Sequence, residues 1–330
     1  MSATHRRASG EGTSHSSPNI PEKKRSVKDY AGIGLRGVAM GACDVIPGVS
    51  GGTMAFILGI YEELVNSLRA VGRKEFLGAL ARFRIAEAAR AINLPFLVSV
   101  LSGILVAIFS LAKLMSWLLD NQPVYTWSFF FGLILASVLV VGKRIPKWTA
   151  VLWIAFAAAA AGAYVLTGLV PAQTPDALWF IFLSGFLAIC AMILPGISGA
   201  FILLILGKYE YILSSISDRN VSVLAVFAAG CGIGLVTFAQ ILSWLFKRYH
   251  DLTVALLTGL MLGSLRKVWP WKETIETITN RHGKLIPVVQ DNILPELQGT
   301  FFLALGLAVV GFGTVLLLER FAARDIGDHV

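Results

Sequence analysis

The chain is short of charge. Only 15% of its 330 residues are Asp, Glu, Lys or Arg, against roughly 25% in a soluble globular domain. With 56% hydrophobic residues and a mean hydropathy of +0.72, much of its surface cannot face water. Cysteine is scarce too. Cys43, Cys190 and Cys231 are odd in number, lie among small apolar residues and show no CxxC or Cys/His spacing. That argues against a disulfide framework or a metal site and leaves small packing residues. None of the five histidines (His5, His15, His250, His282, His329) falls within an apolar span. Residues 1–29 lack the apolar core of a secretory signal and read as a disordered cytosolic tail. No basic cluster is interleaved with aromatics on a soluble domain. The formal charge of +8 is therefore read as a membrane-topology signal rather than a nucleic-acid footprint.

What the chain does have is repeated apolar runs of about the 20 residues that cross a ~30 Å hydrocarbon core, such as Phe96–Leu114, Trp148–Val170 and Thr300–Leu318. It also has an internal repeat. Ile46-Pro-Gly-Val-Ser-Gly-Gly-Thr53, continuing to Leu58-Gly-Ile-Tyr-Glu62, aligns without a gap on Leu194-Pro-Gly-Ile-Ser-Gly-Ala-Phe201, continuing to Leu206-Gly-Lys-Tyr-Glu210. Apolar composition alone would not match Pro, Gly, Ser, Tyr and Glu in order. Past the motif, Ser116-Trp-Leu118 matches Ser243-Trp-Leu245, and Gly132–Ser137 matches Gly259–Ser264. The spacing shrinks between motif and later matches, so the first half carries an insertion within Ala70–Leu94.

The expected fold is an all-α polytopic membrane protein of two inverted repeats. Each repeat is a re-entrant, broken helical hairpin followed by three transmembrane helices. After the tail at 1–29, the first repeat covers 30–170, with its hairpin at 31–68, an interfacial insertion at 70–94 and spans at 95–119, 125–142 and 149–170. The second covers 177–320, with its hairpin at 177–216 and spans at 221–246, 252–269 and 299–319. A cytosolic tail at 321–330 closes the chain. The hairpins follow from length and from Pro and Gly. Ile33–Leu68 is too long for one span, and Pro47 with its Gly/Ser cluster breaks it midway; irregular backbone at that depth must line a cavity or be buried in protein. Basic residues on both flanks of the first hairpin put both ends in the cytosol, and an odd number of spans per half inverts the second. The segment Arg266–Gly299, assigned outside, fits that rule weakly because its charge is mixed. Within the insertion, Phe76, Leu80 and Phe83 share a helical face among Arg73, Lys74, Arg82 and Arg84, as on an interfacial helix.

The candidate binding residues are Pro47, Gly48, Ser50, Gly51, Gly52 and Thr53 in the first motif and Pro195, Gly196, Ser198 and Gly199 in the second. Ser and Thr are N-cap types, and the first amides of a helix lack internal partners and carry partial positive charge. Two such ends are expected to hold an anion; a tight crossing of small residues is the structural alternative. Arg36, one turn into the first half-helix, either meets that anion or reaches the headgroups. Asp44 is an intramembrane carboxylate whose repeat partner is Met192. It either carries a coupling proton or caps the Ser50–Thr53 amides. Glu62 and Glu210 are gate or anchor candidates. Gly32-Ile-Gly-Leu-Arg-Gly37 satisfies a dinucleotide fingerprint without its strand. Gly48-Val-Ser-Gly-Gly52 has the core of an intramembrane serine protease without a histidine base. No cofactor is implied.

At these residues the chain resembles the bacterial polyprenyl-phosphate transporters of the PopT type. Asp44-x-x-Pro-Gly-x-Ser-Gly-Gly-Thr53 with Leu58-Gly-x-Tyr-Glu62, and Leu194-Pro-Gly-Ile-Ser-Gly199, carry the resemblance over about residues 30–320. It implies an undecaprenyl-phosphate translocase of the cytoplasmic membrane that returns the carrier lipid to the cytosolic leaflet for wall synthesis. Its partners would be that lipid phosphate and the surrounding membrane lipids, with homo-oligomerisation open. Cys43 stands where a small residue such as Ala is expected. The residues alone reach an inverted-repeat transporter with two anion-binding hairpins; an ion-coupled carrier of a small soluble anion and a non-transporting membrane scaffold are the other readings.

Overall fold

A computed structural model of the chain describes residues 25–44, 50–170, 172, 174–279, 285–297 and 299–327. The first motif region forms α1 (Val27–Asp44), α2 (Gly51–Ile57) and α3 (Tyr61–Ala70). The charged insertion forms α4 (Lys74–Ala81) and α5 (Ile85–Ala91), and three long helices follow: α6 (Leu94–Asn121), α7 (Pro123–Gly142) and α8 (Ala150–Leu166). The second motif region forms α9 (Leu178–Ile193), α10 (Gly199–Ile205) and α11 (Tyr209–Ser217). Then come α12 (Val221–Arg248), α13 (His250–Ser264), strands β1 (Lys272–Thr279) and β2 (Leu285–Asn292), and α14 (Gly299–Gly327).

The apolar body is all-α and polytopic. α6, α7, α12 and α14 each contain an apolar stretch of at least 18 residues, long enough to cross a membrane. Their outer faces are apolar, as lipid requires: Phe109 is 82% exposed, and Phe302 and Val309 are exposed as well. In water such a surface would aggregate.

Three features depart from the sequence expectation. Each motif segment is three helices rather than two. α2 and α10 end after seven residues because Gly59 (φ 72°) and Gly207 (φ 63°) adopt the left-handed conformation that terminates a helix. The axes of α10 and α11 diverge by 108°. The spans expected at 149–170 and 252–269 end early, at Leu166 and Ser264. Finally, Arg266–Gly299 holds a two-stranded antiparallel hairpin rather than a plain loop, pairing Lys272 with Asn292 and Thr279 with Leu285. The run Lys-Glu-Thr-Ile-Glu-Thr-Ile-Thr is rich in β-branched residues, and the all-α description holds for the apolar body alone.

Glycine sets the helix pairing. Gly37 and Gly41 lie against the backbone of Val100 and Ile104, so α1 and α6 run parallel in close contact. Gly230 and Gly234 meet Phe182 and Phe186 in the same way between α12 and α9. Gly259 and Gly263 meet Phe156 and Ala160 between α13 and α8, while Gly132 and Gly311 bring α7 against α14. At each site a Cβ would collide with backbone, so small residues permit the approach and its dispersion contacts. Cys190 and Cys231 point their thiols at the carbonyls of Gly234 and Gly185 across the α9–α12 seam. They serve there as small packing residues.

Contacts sort the helix ends onto two faces. On one, Arg25 bridges Glu63 at 2.6 Å, Asn93 also donates to Glu63, Arg144 donates to the Ile57 carbonyl and His250 meets Glu62. On the other, Lys208 bridges Asp176 at 2.6 Å, Arg266 donates to the Tyr164 carbonyl and Trp269 to the Ile293 carbonyl.

Candidate functional site

Ser50 is the N-cap of α2, in extended conformation (φ −105°, ψ 129°), and its Oγ accepts from the Gly52 N–H. Ser198 occupies the N-cap position of α10 with nearly the same backbone (φ −100°, ψ 135°), but its side chain makes no capping hydrogen bond. Leu58 and Leu206 close the two helices with φ −76° in both. The repeat in sequence is therefore a repeat in conformation. Pro47 and Gly48 lie outside the described residues. Gly196 turns the second tip at φ 90°.

The two tips touch. The Ser50 hydroxyl donates to the Leu194 carbonyl at 3.2 Å, and the Gly196 N–H donates to Thr53 Oγ1 at 2.9 Å. Tyr61 donates to the Ile193 carbonyl at 2.9 Å. Gly52 lies so close to the Ile193 carbonyl that a Cβ would fall 2.9 Å from it. Ser50, Thr53 and Tyr61 are buried there. Of the sequence candidates, the structure brings Ser50, Gly51, Gly52, Thr53, Pro195, Gly196, Ser198 and Gly199 into one region where the two motifs meet. The carbonyls of Ile193 and Leu194 that complete it have no sequence signal, because every residue has a carbonyl.

Asp44 accepts from the Gly51 N–H at 2.7 Å. With Gly52 N–H on Ser50 Oγ and Thr53 N–H on the Ser50 carbonyl, the first turn of α2 is satisfied internally, and the Asp44 carboxylate sits where an anion would. The second tip has Met192 in place of Asp44. Among the described residues no side chain accepts from Gly199 or Ala200. The chemical difference between the tips thus rests on one residue.

Other candidates stand apart. Arg36 is half-buried on α1, eight residues and roughly 12 Å before Asp44, and no hydrogen bond or ion pair among the described residues ties it to the tips. Glu62 faces His250 at 3.3 Å at the base of the first motif region. Glu210 lies in the first turn of α11. Two further cations are not among the candidates read from the sequence. Arg144 caps the end of α2 through the Ile57 carbonyl and lies over the Phe56 ring. Lys208, 2% exposed, donates to the Thr174 carbonyl and Asp176.

Broken helices that meet inside a polytopic bundle, with capped ends and closely packed glycines, are the construction of a membrane transporter. Comparison with known proteins narrows the class. Residues 40–286 match the family model described as VCA0040-like, undecaprenyl phosphate translocase-like. A polyprenyl-phosphate transporter of Vibrio cholerae serotype O1 is 44% identical over 305 residues, covering 90% of this chain and 98% of that protein. A polyprenyl-phosphate transporter of Staphylococcus aureus is 29% identical over 309 residues, covering 88% and 96%. No solved structure matches the chain. The chain belongs to the undecaprenyl phosphate translocase-like family, and is a transporter rather than an enzyme.

Proposed function

We propose that the protein carries polyprenyl phosphate, undecaprenyl phosphate above all, between the leaflets of the bacterial cytoplasmic membrane. The headgroup passes where the two Pro-Gly-x-Ser-Gly tips meet, and the isoprenoid tail stays in lipid. The observation that carries this reading is the mutual contact of the tips through Ser50, Thr53, Leu194 and Gly196. Two breaks in helices meeting in the interior create polar backbone at a depth where lipid offers no partners. In this arrangement the tips satisfy each other, and parting them would expose amides and hydroxyls suited to a phosphate. Both relatives described above are named for the same substrate class.

The two motif regions are re-entrant and the halves inverted, with both termini in the cytosol. The contact pattern supports this. α1 lies along α6 as α9 lies along α12, and α7 with α14 exchanges for α13 with α8 when the halves are swapped. Each hairpin base is also closed by its own ion pair, Arg25–Glu63 and Lys208–Asp176.

The test is flux of a polyprenyl phosphate in proteoliposomes. Ser50→Leu and Ser198→Leu each put a bulky apolar group at the tip contact. Each is expected to lower flux at least tenfold, with the fold retained as judged by monodispersity in detergent. Wild-type flux from both would remove the tips from the pathway.

A further inference from the structure

The second face holds a basic recess that the tip mechanism does not use. It has a volume of about 110 Å3 and lies between the end of α8, the end of α10 and the β-hairpin. Arg266, Lys267 and Lys272 line it together with Asp291. The cations are held by rings and carbonyls rather than by carboxylates. Arg266 lies 4.5 Å from the Tyr164 ring centre and donates to the Tyr164 carbonyl. Lys267 lies 4.7 Å from the Phe201 ring, and Lys272 lies 4.3 Å from Trp127 and donates to the Lys267 carbonyl. Among the described residues none of the three is in an ion pair, so the recess carries an excess of positive charge over the single Asp291.

Two facts make this more than a solvated basic loop. All three cations are half-buried, and clustering like charges away from water is costly unless an anion joins them. Under the proposed topology this face is extracytoplasmic, where Lys and Arg are normally sparse in short segments. α8 and α13, which end beside the recess, are short; 17 and 15 residues rise only roughly 26 and 23 Å. Phe201, under Lys267, is two residues past Gly199 on the same seven-residue helix, so one short helix joins recess and tip.

We propose that Arg266, Lys267 and Lys272 form a receiving site for a phosphate monoester on the second face, distinct from the tips and one helix length from them. Two nearby cations and a guanidinium fork suit the three terminal oxygens of such a group. The same chemistry is offered by a lipid headgroup and by free phosphate. The proposal rests on the transport reading only for the choice of lipid probe.

The experiment uses the full chain in zwitterionic nanodiscs, titrated with farnesyl phosphate, inorganic phosphate and farnesol. Farnesyl phosphate is expected to bind the unmutated protein, and farnesol not. Arg266→Gln and Lys272→Gln should each weaken binding about tenfold, while Lys74→Gln on α4, an exposed cation that does not line the recess, should leave it within threefold. Comparable binding of inorganic phosphate would identify the free anion as the ligand source. As a measurement free of mutation, amine-reactive labelling of Lys267 and Lys272 read by mass spectrometry should slow when the phosphate ligand is present. No binding by wild type, or equal binding by the Gln variants with unprotected lysines, overturns the receiving site. Flux that persists in that case leaves the transport reading standing, whereas binding at the recess without any flux in wild type would sink the transport reading alone.

Discussion

Asp44 has one contact that defines its role in this conformation, the hydrogen bond from the Gly51 N–H. Asn keeps an acceptor there, whereas Ala strands a buried donor, which costs about 1–2 kcal/mol. Asp44→Ala is therefore expected to lower the unfolding temperature in detergent and Asp44→Asn to leave it nearly unchanged. For transport, Asp44→Asn should still bind lipid phosphate and lose flux driven by a proton gradient; unchanged gradient-driven flux would leave Asp44 as a cap of α2. Lys272 gives a second residue-scale prediction. Burial first, and then the neighbouring Lys267 charge, pull its pKa down to about 7. It is therefore charged below that pH and neutral above it in the empty recess. Arg266, Lys267 and Asp291 are the other charged groups lining the recess. Affinity for a phosphate monoester should accordingly fall as pH rises through 7. It should also fall below about pH 6, where the ligand loses its second charge. Lys272→Arg, which stays charged, should flatten the alkaline limb in a titration from pH 6 to 9.

At the scale of elements, the two short helices offer a paired comparison. Gly59 and Gly207 occupy the same repeat position, both with positive φ. Alanine in that conformation costs about 1 kcal/mol from backbone strain. At Gly59 an added Cβ meets open space, but at Gly207 it would lie 2.5 Å from the Ala172 carbonyl oxygen. Gly207→Ala should therefore destabilise more than Gly59→Ala, by roughly a further 1–3 kcal/mol of overpacking, readable as the order of melting temperatures. The insertion behaves differently from the idealised amphipathic helix. α4 and α5 are separated at Phe83, which takes a positive φ and is 88% exposed beside exposed Leu80, while Phe76 is half-buried. The basic residues around them keep an interfacial placement physically reasonable, but the apolar face is shared among shorter pieces.

For the whole molecule, the two faces defined by Arg25–Glu63 and Lys208–Asp176 predict sidedness. In a variant with Cys43, Cys190 and Cys231 replaced by Ala, a cysteine at Glu75 should react with a membrane-impermeant thiol reagent only from the cytosol. A cysteine at Thr274 should react only from outside. Labelling of both positions from one side would refute the assignment of the two faces. Lipid-facing residues such as Phe109 and Val309 should tolerate apolar exchange with little change in flux, because lipid tails pack as well against Leu as against Phe.

The amino-acid sequence by itself determined the membrane class and the equivalence of the two motifs. These depend on composition, on runs set by bilayer thickness, and on Pro, Gly and Ser at fixed spacing, all of which are local. It also marked Ser50 as a cap, since capping is decided within a few residues. Tertiary structure alone decided that the tips bond to each other and that Arg266, Lys267 and Lys272 converge. Those outcomes join residues far apart in the chain, or use backbone carbonyls that no side chain announces. The mixed charge of Arg266–Gly299 looked like a weak loop because the rings its cations stack on, Tyr164, Trp127 and Phe201, come from three other elements and meet it only in the folded bundle.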